Sequence, residues 1–98
     1  MEQEVSQFER LEILSLSQQR VQLAKAQQWQ ALADSDIYWR GRLQALEAQA
    51  EQVLLPIAEQ LLKDNRTVMT LAYRAQQELN QERQNSLKNL SQVKAYLK

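Results

Sequence analysis

The chain has 98 residues, enough for one domain with a modest core. Twelve basic side chains balance twelve acidic ones and there is no histidine, so the formal net charge of zero argues against a dedicated nucleic-acid binder. The lack of cysteine excludes disulfides and thiolate metal sites, and one glycine with one proline leaves too little turn-forming material for a sheet protein.

Seventeen glutamines and sixteen leucines make up the difference, which is an all-α composition. The same inventory removes most enzyme classes. Nucleophile–histidine triads, histidine–zinc sites and thiol catalysis all lack an essential residue. Phosphate-cradling loops need several close glycines, and Gly41 stands alone. Glu47 and Glu51 would share one helix face and read as a solvated pair. No cofactor, metal site or enzymatic activity is expected. The start, Met1-Glu2-Gln3-Glu4, is acidic where a signal peptide would be basic. The longest apolar run, Val53-Leu54-Leu55, is broken by Pro56, so no membrane span is expected and the location expected is the cytoplasm.

The first helix is expected over about 5–27. Its apolar residues form two seams: Leu11, Leu14 and Val21 on one, Ile13, Leu16 and Leu23 on the other. Either this helix is central and touches two neighbours, or the second seam belongs to a docking groove. Helix two, about 29–54, carries Trp29, Leu32, Asp36, Trp39, Leu43, Leu46, Ala50 and Val53 at alternating spacings of three and four, the pattern of close helix packing. Asp36 interrupts that seam and, if buried, needs Arg40 or a donor from across the fold. Gly41 lies off the seam, which points to a close neighbour or a slight bend.

Pro56 suits the first turn of a third helix, about 57–81, on which Ala58, Leu61, Asn65, Val68, Ala72, Ala75 and Leu79 repeat the spacing. Asp64-Asn65 could bend or cap it. The polar stretch Asn80 to Ser86 reads as a hinge before a fourth helix, about 85–97, or as a frayed continuation of the third. The expected architecture is therefore an all-α antiparallel bundle of three long helices with a short C-terminal fourth helix, in a single domain. Its expected core is Leu14, Val21, Trp29, Leu32, Trp39, Leu43, Leu46, Val68 and Leu79. Charge divides along the chain: residues 1–62 sum to −4 and residues 63–98 to +4. The basic part either lies against the acidic first half or is offered to an acidic partner.

The run Trp29-x2-Leu32-x3-Asp36-x2-Trp39-x3-Leu43-x2-Leu46 resembles the start of the second helix in FliT-type flagellar export chaperones. Leu23-Ala24 before the tryptophan and the closing Lys94-Ala95-Tyr96 are similar to that family too. The glycine often found there before the tryptophan is replaced by Gln27-Gln28. The resemblance implies a small cytoplasmic helical protein that binds the C-terminal region of the filament-cap protein before its secretion. It also implies contacts with the export ATPase and the flagellar master transcription regulator.

From the residues alone, Ile37 and Tyr38 fall on the far side of helix two and Tyr73 on the far side of helix three, with Met69 and Leu71 at the core edge. With Ile13, Leu16, Leu23 and Tyr96 these make the expected partner-binding set, a groove for an amphipathic client helix. The last helix could fold over the same surface. The alternative is a helical homodimer or coiled-coil subunit whose surplus seam is its self-interface. A third class, a nucleic-acid-binding domain, rests only on the basic second half. No direct nucleic-acid contact is expected.

Overall fold

The computed structural model describes the backbone of residues 2–97 and the side chains of residues 7–97. The described residues form α1 (Glu2–Lys25), α2 (Trp29–Ala45), α3 (Ala50–Leu54) and α4 (Ala58–Tyr96), with 3-10 turns at Glu47–Gln49 and Leu55–Ile57 flanking α3. The fold is all-α. No helix among the described residues is long and apolar enough to cross a membrane.

The α1–α2 connection falls where the seam changes phase, and its chemistry lies in the backbone. Gln28 N–H donates to the Leu23 carbonyl at 3.0 Å and Gln27 N–H to the Ala24 carbonyl at 3.1 Å. These are the paired bonds of a Schellman closure, which satisfies carbonyls that the helix end leaves open. The closure holds Gln27 at φ 59°, in the left-handed region where glycine is the usual residue.

Two expected elements are corrected. Helix two ends at Ala45 rather than near residue 54, because the chain turns through Glu47 at φ 48°. The three–four spacing survives the turn because Leu46 and Val53 enter the same apolar cluster from different elements. Burial, not helix continuity, keeps that pattern. Glu47 and Glu51 consequently sit on separate elements and do not share a helix face. The hinge at 80–86 is also absent, since α4 runs unbroken for 39 residues. The stretch is polar but contains no glycine or proline, and Gln, Glu and Arg are good helix formers.

Helix α1 lies between α2 and α4. Glu9 and Glu12 meet Arg42 while Arg20 meets Asp36, so α1 and α2 run antiparallel. Ser17 meets Asp64, and Val21 and Ala24 cluster with Val68, so α4 runs parallel to α1. The two seams of α1 are thus the flanks of one wide face that serves two neighbours. Its midline is Ile13, Ser17, Arg20, Val21 and Ala24, all buried. Two of these are polar, which hides the line from a hydrophobic-periodicity reading.

The core has two apolar clusters. The lower one joins Ile13, Leu46 and Val53, with Leu43, Leu54 and Leu61 packed on it. The upper one joins Val21, Ala24, Leu32 and Val68, with Leu23, Trp29 and Leu71 packed on it. A polar layer separates them. Ser17 Oγ donates to Asp64 Oδ2 at 2.9 Å in a buried bond, and Gln60 Nε2 donates to Asp64 Oδ1 at 2.8 Å. Asp64 therefore does not cap α4; it is a buried acceptor inside the helix. Arg20 pairs with Asp36 at 2.8 Å, and Arg40 reaches the same carboxylate at 3.0 Å. Asp36 thus has both the partner on its own helix and the donor from across the fold. The Arg20 guanidinium also stacks 4.4 Å from the Trp39 ring centroid. At the lower end Arg10 donates to the carbonyls of Val53 and Gln52, closing the end of α3.

The molecule is a rod of 77 × 21 × 20 Å. Its radius of gyration of 20.2 Å far exceeds the about 12.6 Å of a compact chain this long. Helix α4 spans about 58 Å and α1 about 36 Å, so α4 outruns its support. Every residue from Gln76 to Leu97 is exposed.

Three stability outcomes follow from this geometry. Gly41 is exposed in mid-helix, and an added Cβ would meet nothing within 4 Å; no close neighbour explains it. Gly41→Ala should therefore raise stability by about 1 kcal/mol, read as a Tm rise of about 4–8 °C. Gln27→Gly should add about 1 kcal/mol by relieving the left-handed residue, checked by urea denaturation. Asp64→Ala strands the Ser17 hydroxyl and should cost about 1–3 kcal/mol in the same assay.

Candidate docking surfaces

The solvent-accessible surface is 7945 Å², against about 5,800 Å² for a compact protein of 11.5 kDa. Most of the exposed large apolar side chains lie on α4, from Leu62 to Leu97. Two separate surfaces are built there, and their chemistry differs.

The first is an outer strip on the supported half of α4. Leu62, Met69 and Tyr73 are spaced seven and four apart, which aligns them within about 40° of arc. All three are well exposed, Tyr73 at 63 %. Core residues Leu61, Val68 and Ala75 lie roughly 120° around the helix, so the strip faces away from α1. Lys63, Arg66 and Arg74 form its edge, bordering a shallow groove with Thr67 and Thr70. None of these three cations makes an ion pair among the described residues; the ion pairs there all lie within residues 9–42. Among the described residues, no ion pair joins the basic part of the chain to the acidic first half.

The second surface continues the core-facing stripe of α4 beyond the body. Leu79, Ser86, Leu90, Val93 and Leu97 fall within about 60° of arc, in line with Leu61, Val68 and Ala75. Where the stripe leaves the body it borders an open notch of about 390 Å³, lined by Gln27, Trp29, Ala72, Ala75, Leu79 and Glu82. One side of Trp29 packs on the upper cluster and the residue also lines this notch.

The expected partner-binding residues divide. Ile37, Tyr38, Met69, Tyr73 and Tyr96 are exposed. Ile13 is corrected: it is 0 % exposed, at the centre of the lower cluster, because the midline of α1 runs through it. Leu23 and Leu71 pack on the upper cluster and Leu16 is half-buried, so the second seam of α1 is not a free groove. Ile37 and Tyr38 ride on α2, on a different helix from Met69 and Tyr73, and do not join them in one groove. Tyr96 stands near the far tip of α4, away from the body.

Among the expected core residues, Val21, Leu32, Leu46 and Val68 are buried. Leu14, Trp29, Trp39 and Leu43 are half-buried. Leu79 is corrected to a surface residue, 54 % exposed, since α1 turns back before reaching it. The sequence reading missed Leu62 and the basic edge beside it. A search for apolar residues seven and eleven apart on the polar side of α4 would have found that strip.

The arrangement provides apolar faces with charged borders, and no group of three or more metal-ligating side chains occurs among the described residues. It defines a small helical protein with more apolar surface than its own helices cover. No protein-family model, curated protein or solved structure matches the chain.

Proposed function

We propose that this chain is a non-enzymatic binding protein that holds an amphipathic helical segment of another protein on the outer strip of α4. The observation that carries the reading is the strip itself: Leu62, Met69 and Tyr73 exposed in line on a helix whose other side is fixed by the core. A client helix would lay apolar residues at helical spacing against them, the groove-docking mode of peptide recognition. The unpaired edge of Lys63, Arg66 and Arg74 favours a client with acidic residues along one border.

The resemblance to FliT-type export chaperones gives this reading its biological form. The client is then the C-terminal region of the filament-cap protein, covered before secretion so that it does not self-associate, in the cytoplasm. Export-ATPase and master-regulator contacts belong to the same proposal. A segment that is disordered when free loses entropy on docking, which keeps affinity modest and release feasible. Masking by the last residues is not part of the mechanism, because α4 runs straight away from the body.

Calorimetric titration with a peptide from the filament-cap protein's C-terminal region tests the reading. Tyr73→Asp should weaken binding at least ten-fold, about 1.4 kcal/mol, while leaving Tm within a degree or two. Arg66→Glu with Arg74→Glu should weaken it further and flatten its salt dependence. No binding by the unmodified chain, or a Tyr73→Asp protein that binds as well, overturns the proposal.

A further inference from the structure

We infer that the overhanging half of α4 is a self-association element, pairing antiparallel with the same segment of a second copy of this chain. The inference does not rest on client binding, which uses a strip roughly 120° around α4 from this seam.

Three observations select this occupant. The first is area. The chain as a whole exposes about 2,100 Å² more than a compact protein of its mass, and a second copy on the overhang would draw on that excess for the about 800 Å² per partner of a standard interface. The overhang carries a ready seam in Leu79, Leu90, Val93 and Leu97, all exposed. From Gln76 to Leu97 it extends about 33 Å with nothing packed on it. Helices in proteins draw most of their stability from packing of an apolar face, so a partner on the seam stabilises the overhang as well as covering it.

The second observation is steric and decides the orientation. The seam is the outward continuation of the face that α1 occupies as far as Ala75. Two copies paired in parallel would bring both bodies to the same level on the facing side, where each α1 blocks the other. Antiparallel pairing puts the bodies at opposite ends. The incoming helix then occupies the continuation of the line of α1 and stops beside the α1–α2 turn. Leu97 of the second copy comes level with Leu79, next to the notch beside Trp29, and Ser86 and Leu90 face each other near the two-fold axis.

Charge is the third. Residues 76–86 carry Glu78, Glu82 and Arg83, whereas residues 87–97 carry only Lys88 and Lys94. Of these, Glu82 and Lys94 flank the seam, and antiparallel pairing brings Glu82 of one copy level with Lys94 of the other, whereas parallel pairing sets each beside its own like.

The test is sedimentation equilibrium of the full chain without client, over a wide concentration range. A mass rising from 11.5 kDa to twice that value is expected, with far-UV helicity rising in step. A mass of 11.5 kDa at the highest soluble concentration overturns the inference. Leu90→Asp with Leu97→Asp should give a monomer whose body still unfolds in a cooperative thermal transition, because both residues lie far from the core. A dimer that survives this change overturns it too. Orientation is read by oxidative cross-linking, which is clean because the chain has no cysteine of its own. Leu79→Cys mixed with Leu97→Cys should give a covalent heterodimer, and neither variant should cross-link to itself. Self-cross-linking of Leu79→Cys would mean parallel pairing and overturn the assignment. Client titration of the Leu90→Asp, Leu97→Asp protein separates the two readings, since binding there should be unchanged.

Discussion

One apolar stripe runs the length of α4, and α1 covers a little less than its first half. The mismatch, about 36 Å against 58 Å, governs the shape and the surface of this protein. Had α1 extended further, or α4 broken after Leu79, the stripe could have been sealed within one chain. Instead the chain leaves a helical arm whose inner face is built like core and exposed like surface. Exposed side chains of this kind are ordinary when scattered singly, but an aligned series on a rigid element is not.

The supported half is held in register by polar contacts rather than by shape alone. Two apolar clusters on either side of a sliding interface could pack in more than one offset. The layer between them removes that freedom, since Asp64 accepts from Ser17 across α1 and α4, while Arg20 and Asp36 pair across α1 and α2. Buried pairs of this kind contribute modest net stability, because desolvation offsets much of their attraction. Their value here is positional: shifting either helix by one turn would leave a carboxylate or a guanidinium buried without a partner. That fixed register also fixes which side of α4 faces outward, and hence where Leu62, Met69 and Tyr73 stand.

The two surfaces of α4 suit different occupants because their borders differ. The outer strip has a single basic edge and lies on a backbone braced by the core, as a preformed recognition face requires. The inner stripe is unbraced, is flanked by Glu82 and Arg83 nearer the body and by Lys94 toward its end, and has one side closed off by the body. A foreign helix satisfies the first set of conditions and a second copy the second. The two surfaces lie roughly 120° apart on α4, so the proposed client and a proposed second copy would not displace each other.

Composition and periodicity settled the all-α class, because a chain with one glycine and one proline has no means of turning strands, and leucines at helical spacing have no other use. They also located the α1–α2 turn, the role of Pro56 near a helix start, and Asp36 as a seam polar residue in need of a donor. They misplaced Ile13 and Leu79 for one reason: periodicity shows that a residue belongs to an apolar face, not whether a neighbour reaches it. The midline of α1 was obscured by Ser17 and Arg20, whose burial depends on Asp64 and Asp36 more than thirteen residues away in sequence. The end of α2 at Ala45 and the continuity of α4 through Asn80–Ser86 were likewise tertiary outcomes, since the local sequence permits either state at both places. What lies exposed on this protein was decided by the relative lengths of its packed helices, a quantity that only the assembled structure contains.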